Sequence, residues 1–343
     1  MDVITQAALG GAIGEASLGR KLGSWGVVWG LGFGLLPDFD VFVEPLFKPV
    51  HQFLVHRSLS HSLLFIAILT PLAGWLLYRG YRSKNISYRR WSLTVFAILS
   101  THVLLDCLNN YGTLIFFPFS TYPVNLNTVF VIDPLYTLPL LLGVLISLFL
   151  NRQSQKRRWI NGTGLFISSL YLVWGGIAKL YAIEQFRHAL DRQQVDYERL
   201  MTTPTPFNTL LWTGYAEKND TLHVGLYSLR DGEGQIEFQA IPKNSYLLRY
   251  TSHELPMQRV LWFSRGYYRA ERMAGNLLVY DLRFGRSDLW MKEKGAYIWG
   301  YRFELGDDGK RILNFNRKNP NFNLDNGFWS RYWQRIWGIK HKN

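Results

Sequence analysis

A chain of 343 residues with one cysteine and a formal net charge of +13 excludes an intrachain disulfide and any thiolate-rich metal site. The isoelectric point near 9.7 suggests nucleic acid at first sight, yet much of the basic excess lies in short loops between apolar runs, where it reports membrane topology before recognition. The mean hydropathy of −0.04 averages two unlike halves that change over near Lys179, and the length allows two or three domains.

The first predicted helix, Val3 to Leu18, is rich in Gly and Ala, with Gly10, Gly11 and Gly14 open to close helix contact and one carboxylate, Glu15. Met1-Asp2-Val3-Ile4-Thr5 lacks a basic leader and no small-residue cleavage site follows, so this helix is expected to be retained. Five runs without charge come next: Leu22 to Pro37, Ser62 to Tyr78, Trp91 to Leu105, Pro134 to Leu150 and Trp159 to Ala178. At about 15 to 20 residues each they approach the length that spans a bilayer as a helix. A carboxylate inside such a segment, as at Glu15, has to be protonated, paired or turned to a polar cavity.

Loop charge orients the spans. Arg79, Arg82, Lys84, Arg89 and Arg90 separate two of them, Arg152, Lys156, Arg157 and Arg158 separate the next two, and Arg20 and Lys21 fit a third basic turn; by the positive-inside rule these are cytoplasmic. The Pro37 to His61 stretch, the end of the Trp91 to Leu105 helix and the Asn109 to Asp133 loop then share the opposite side, and the C-terminal half follows them.

Beyond Tyr181, Gln185 to Leu200 reads as a charged helix or connector and Thr202 to Pro206 as a linker. Strand-like stretches recur over Thr221 to Leu229, Ile236 to Ile241, Tyr246 to Tyr250, Val260 to Phe263, Leu277 to Phe284 and Ala296 to Leu305, with turn signals at Asp231-Gly232 and Asp308-Gly309. Trp212, Trp262, Tyr267, Tyr268 and Trp290 fit core packing better than a ligand surface. Trp329, Trp333 and Trp337 recur every fourth residue, the spacing of an amphipathic helix on a membrane surface, although docking onto the β domain would use the same stripe. The expected architecture is an α-helical integral membrane domain of five to six helices over residues 1–181, a connector over 182–206, a small, mainly antiparallel β domain over 207–327 on the extracytoplasmic side, and an amphipathic helix over 328–343.

The chemistry concentrates in Pro37-Asp38-Phe39-Asp40, in His56-Arg57-Ser58-Leu59-Ser60-His61-Ser62 and in His102 with Asp106. Carboxylates and imidazoles hold Zn²⁺ or a similar divalent ion, and such groups are costly beside lipid unless they are used. Asp38 and Asp40 follow a proline that ends or redirects a helix; in an extended segment residues two apart point the same way, so both are expected to face one ion. His102 and Asp106, four apart, share a helix face. His56 and His61, five apart, suit a loop that ends near Ser60 as a helix cap. Arg57 suits a clamp for an anionic group, or an interfacial anchor. Asn109, Asn110, Tyr111-Gly112-Thr113 and Asp133-Pro134 either line the same mouth or form ordinary turns.

Taken in order, Met1-Asp2, Thr5-Gln6, Leu9-Gly10, Gly14-Glu15-Ala16, Leu18-Gly19-Arg20-Lys21, Gly23, Pro37-Asp38, Asp40, His56-Arg57, His61-Ser62, His102, Asp106 and Tyr111-Gly112 resemble the YdjM-like family of membrane-bound, predicted metal-dependent hydrolases. The resemblance covers about the first half of the chain. That family is distantly similar to zinc-dependent phospholipase C and related nucleases, and the resemblance implies that Asp38, Asp40, His56, His61, His102 and Asp106 form a metal site in a protein of the bacterial inner membrane. Many members have a His where this chain has Gln6.

The expected function is metal-assisted hydrolysis of a phosphoester or lipid at the membrane interface. The divalent ion is Zn, with Mn or Mg as alternatives; it lowers the pKa of water, an unliganded Asp (Asp38 or Asp40) acts as base, and Arg57 holds the anionic group. No G-x-S-x-G elbow or H-E-x-x-H helix is present, which argues against serine-hydrolase and zincin chemistry. The competing reading is a non-catalytic membrane protein that binds a metal or lipid headgroup. A transporter ranks below it, because few charges lie mid-span, and nucleic-acid binding ranks last.

Overall fold

The computed structural model describes every residue except 233–235, 293–294, 319–323, 325 and 340–343, and the chain divides into two compact units. The first comprises Met1–Phe47, Leu54–Gly176 and Pro206–Asn208; the second comprises Lys48–Phe53, Ile177–Thr205 and Thr209–Asn343.

The first unit is built on α1 (Val3–Leu22), α2 (Ser24–Leu35), one-turn α3 (Asp40–Val43), α5 (Leu63–Gly80), α6 (Tyr88–Cys107), α7 (Pro134–Leu148) and the beginning of α8 (Gln155–Arg192); α4 (Pro49–Gln52) lies in the excursion that counts with the second unit. Asp2 starts α1 by accepting the Thr5 N–H at 3.0 Å, and Gly23 (φ 62°) turns the chain straight into α2. These two helices touch through bare backbone. A Cβ placed on Gly10 would overlap the carbonyl oxygen of Gly30, and one on Gly14 that of Gly26, so the glycine spacing in α1 is matched by the one in α2. Ser62 and Asp133 cap α5 and α7 through Phe65 N and Leu135 N.

The apolar runs of the sequence coincide with α2, α5, α6, α7 and α8. Among the described residues, Leu63–Gly80 and Gln155–Arg192 are long and apolar enough to cross a membrane; Ser24–Leu35 with Pro37–Leu46, bent by 48° at the proline, makes a third when taken as one broken span. Large apolar side chains such as Leu72, Trp75, Leu142, Leu170 and Val173 are exposed along α5, α7 and α8. Glu15 resolves its own problem: both carboxylate oxygens accept from Arg157 of α8, Nε and Nη2 each at 2.6 Å, and the pair is buried. Asn161 adds a bond from Nδ2 to the Ala12 carbonyl at 2.9 Å.

The second unit holds two antiparallel four-stranded meanders. One is β1 (Arg199–Pro204), β2 (Leu211–Lys218), β3 (Thr221–Ser228) and β4 (Phe238–Pro242); the other is β5 (Tyr268–Met273), β6 (Asn276–Asp281), β7 (Gly300–Leu305) and β8 (Ile312–Lys318). Met201, Tyr215, Leu222 and Val224 of the first sheet share a core with Tyr267, Leu278 and Tyr280 of the second and with Trp290. Trp212, Tyr267, Tyr268 and Trp290 are therefore core, and Trp262 is half-buried. The end of α8 packs Ala178, Ala182 and Phe186 on Trp212 and Tyr227. Phe53 packs on Phe263, Tyr301 and Phe315.

Several local expectations change. Val260 to Phe263 is not a strand but the end of α9 (Leu255–Phe263), because Met257, Val260 and Phe263 recur every third residue and are all buried. Tyr246 to Tyr250 is mostly a 3-10 turn over Ser245–Leu248. The helix predicted to reach Leu200 ends at Arg192, and most of the expected linker is β1. Pairing with β2 overrides the Thr- and Pro-rich composition, and Pro204 is tolerated because β1 is an edge strand. The C-terminal helix is α10 (Phe328–Ile336); residues 340–343 lie outside the described ones.

Candidate metal centre

Three elements of the first unit deliver the polar residues. Pro37 breaks the line of α2 and begins a 3-10 turn over Pro37–Phe39 that leads into α3. The segment before α5 bends at Arg57, whose φ of 59° is left-handed, and tightens into a 3-10 turn over Leu59–His61. The last two turns of α6 present His102 and Asp106. Asp38, His61, His102 and Asp106 come together, one ligand atom of each lying within 4.8 Å of all the others.

The spacings fit a coordination shell. His61 Nε2 lies 3.4 Å from Asp38 Oδ1 and 3.3 Å from Asp106 Oδ2. His102 Nε2 lies 3.6 Å from Asp38 Oδ1, 4.0 Å from Asp106 Oδ2 and 3.1 Å from His61 Nε2. Four ligands at zinc bond lengths on a tetrahedron are about 3.3 Å apart. The outward ring nitrogens are both engaged: His102 Nδ1 donates to the Gly34 carbonyl at 2.7 Å, and His61 Nδ1 meets Ser60 Oγ at 2.9 Å. This arrangement turns both Nε2 lone pairs inward, as metal-binding imidazoles require. Asp106 Oδ2 is buried without a hydrogen-bond donor in line, which a cation at the centre of the group would satisfy.

Asp40 and His56 lie outside the four-residue group. Residues two apart in a helical turn point about 200° away from each other, so the expected extended geometry fails here and the two aspartates diverge. Asp40 accepts from His56 Nδ1 at 2.7 Å, from Ser60 Oγ at 2.6 Å and from the Arg57 backbone N–H at 3.1 Å. Ser60 thus bridges Asp40 to His61, and the cap of α5 is Ser62 instead.

Arg57 is buried with its charge committed inside the site. Its Nε lies 3.2 Å from Asp106 Oδ2, Nη1 donates to Asn109 Oδ1 at 3.0 Å, and the guanidinium sits 4.5 Å over the Tyr111 ring. Gln6 Nε2 donates to Asp106 Oδ1 at 3.1 Å and to the His102 carbonyl at 3.2 Å, and the amino group of Met1 also reaches Asp106 Oδ1. Asn109 therefore belongs to the site, while Asp133 caps α7 and receives Tyr171 OH at 2.7 Å.

The electrostatics of His61, which precedes α5, follow from these contacts. Burial disfavours its charged form, but the carboxylates of Asp106, Asp38 and Asp40 outweigh this and raise its pKa to about 10. A divalent ion would take the place of that proton.

A family model described as YdjM inner membrane protein matches residues 1–182, more than half of the chain. The chain belongs to the YdjM inner membrane protein family. The YdjM match contains all four residues of the group, their Asp40, Ser60 and Gly34 partners, and the Glu15–Arg157 pair. The comparisons with curated proteins and with solved structures find no match.

Two kinds of YdjM site residue escape sequence reasoning. Gly34 acts only through its carbonyl, and no sequence signal marks it. Ser60 was in view as a cap, but its role depends on where Asp40 points, and that is set by the turn after Pro37.

Proposed function

We propose that this protein is a multi-pass, metal-dependent hydrolase of the inner membrane, with its site and its C-terminal unit on the extracytoplasmic side and a phosphoester or lipid as substrate. The observation that carries the metal is the pair of inward Nε2 atoms of His61 and His102, with both Nδ1 atoms tied back. A set of two imidazoles and two carboxylates suits Zn²⁺, with Mn²⁺ as the alternative. When bound, such an ion supplies Lewis acidity and activates water near neutral pH. The basic loops between the helices support the orientation.

The protein's own groups divide the remaining work. Asp38 is the least buried of the four, its side chain 15% exposed, so substrate and solvent approach from its side. Asp40 fixes His56 through Nδ1, which leaves His56 Nε2 to take and return a proton. Asp40 itself is committed to three donors, and this moves the base role from a lone aspartate to the Asp40–His56 pair. Arg57 holds the Asp106 carboxylate and so orients the site from within.

One observation favours a second reading. Four protein ligands close a tetrahedral shell, which is the habit of structural zinc; the protein would then be a non-catalytic binder of metal or lipid headgroup. Metal content by mass spectrometry on detergent-purified protein, followed by hydrolysis of phospholipid and model phosphodiesters, separates the two. Near-stoichiometric metal with turnover that His56→Ala abolishes supports the hydrolase. Tightly held metal without turnover on any phosphoester supports the binder, and absence of metal from folded protein supplied with Zn²⁺ or Mn²⁺ removes the hydrolase and leaves a membrane binding or structural protein.

A further inference from the structure

The C-terminal helix carries two apolar stripes, and one of them is spent. Phe328, Tyr332 and Ile336 of α10 are buried against Leu211, whereas Trp329, Trp333 and Trp337 are 58%, 62% and 44% exposed. Docking onto the β sheet therefore does not account for the tryptophans. Isolated exposed apolar residues are ordinary; three indoles aligned along one helix are not.

The position of α10 within the second unit names the occupant. Helix α8 has 38 residues, about 57 Å at 1.5 Å per residue, nearly twice the hydrocarbon core of about 30 Å. Its charge-free run ends at Ala178, so the level of Ala178 to Ala182 is where α8 leaves the bilayer, if it spans as proposed above. At that level Tyr181 contacts the Tyr227 ring, with centroids 6.3 Å apart. Tyr227 pairs with Trp212, and the next pair, Leu211 with Ser228, ends the β2–β3 ladder. Helix α10 docks on this same end: Ser228 Oγ donates to the Ile336 carbonyl at 2.5 Å, and Arg335 clasps Asp231 through Nη1 at 2.8 Å and Nη2 at 2.6 Å. The Arg230 guanidinium lies 5.4 Å over the Trp337 ring. Indoles beside a guanidinium are the composition of a headgroup layer, where an amphipathic ring meets anionic phosphate.

We propose that Trp329 and Trp333 of α10, with Trp337 at its C-cap, insert into the headgroup layer of the bilayer and hold the β-rich unit down on the membrane surface. The proposal rests on α8 crossing that bilayer, and the test is built to separate the two ideas. Cys107, the single cysteine, is buried, so a fluorophore can be placed by Trp333→Cys, by Arg331→Cys about 200° around α10 from it, and by Leu170→Cys on the exposed apolar side of α8. The full chain is examined in nanodiscs of phospholipids brominated near the headgroup or deep in the acyl chains, with iodide as the aqueous quencher. An unchanged melting temperature establishes that each variant folds, as expected with Phe328, Tyr332 and Ile336 intact.

The label at 333 is expected to respond to the shallow bromines and to be shielded from iodide, because surface helices sink only about 5–10 Å. The label at 331 should respond to iodide, and the label at 170 to the deep bromines. Iodide quenching at 333 without bromine quenching overturns the proposal, as does shielding from both, which would mean that a second copy or another protein covers the stripe. No bromine quenching at 170 overturns the spanning of α8 and the proposal with it.

Discussion

His61 and His102 face each other Nε2 to Nε2 across 3.1 Å, while their far nitrogens are taken by Ser60 Oγ and the Gly34 carbonyl. Two imidazole nitrogens this close, with Asp38 and Asp106 beside them, need a cation or a shared proton between them. The four-residue group is thus best described as a place made for positive charge.

Removing one ligand should empty it. His102→Ala and Asp38→Ala are expected to lose bound metal, whereas His56→Ala, outside the group, should keep a near-stoichiometric amount. Mass spectrometry on the three purified variants checks this; equal loss in His56→Ala would place that histidine among the ligands.

The partners of the ligands should matter less but measurably. Ser60→Ala deprives His61 Nδ1 of its acceptor and Asp40 of a donor, and metal affinity should fall by about 10–100-fold. Competition against a chelator of known affinity measures the change, and an unaltered affinity would show that Ser60 does not orient His61.

Metal binding should weaken in acid. The metal-free His61, with its pKa raised to about 10, carries a proton through the neutral range, and an incoming ion must displace it. Apparent affinity should therefore fall by about tenfold for each unit of pH below that value, for one displaced proton. In the metal-free protein the sign is opposite: the stabilisation from charged His61 is complete below the ordinary histidine value of 6.5 and is lost as pH rises through about 10. Titrations of affinity and of thermal stability against pH should slope in opposite directions.

Glu15 and Arg157 should be intolerant of single replacement. Both are buried and bidentate, so Arg157→Met leaves a carboxylate without its partner at a cost of about 3–5 kcal/mol. The double variant Glu15→Leu with Arg157→Met should recover most of that loss in detergent unfolding experiments. A double variant as unstable as the single one would mean that the pair contributes more than mutual neutralisation.

Gly14→Leu should separate α1 from α2, since even a Cβ at that position meets the Gly26 carbonyl. Overpacking costs about 1–3 kcal/mol, and Gly10 and Gly34 share the interface, so the Gly34 carbonyl that holds His102 should shift. Lower melting temperature together with weaker metal binding is the expected result; Gly32→Leu, at a position with open space, is the control.

Much of the first unit is legible locally. Uncharged runs between basic loops mark α2, α5, α6, α7 and α8, because partitioning into an apolar environment depends on composition over a window. His102 and Asp106 share a face because α-helical spacing is fixed by the backbone alone. In the second unit β3 and β6 were visible as strands, whereas β1 was not: a Thr- and Pro-rich segment becomes a strand only because β2 lies beside it.

Sequence by itself thus determined which residues are available: six candidate metal-ligand side chains, a glycine-spaced first helix, and three tryptophans at helical spacing. Tertiary structure decided their roles. The turn after Pro37 sends Asp38 into the group and Asp40 to His56, the α1–α2 contact brings the Gly34 carbonyl to His102, and the docking of Phe328, Tyr332 and Ile336 leaves the tryptophans outward. The physical reason is that composition and periodicity act over a few residues, whereas the direction of a side chain at a turn is settled by the distant backbone packed against it.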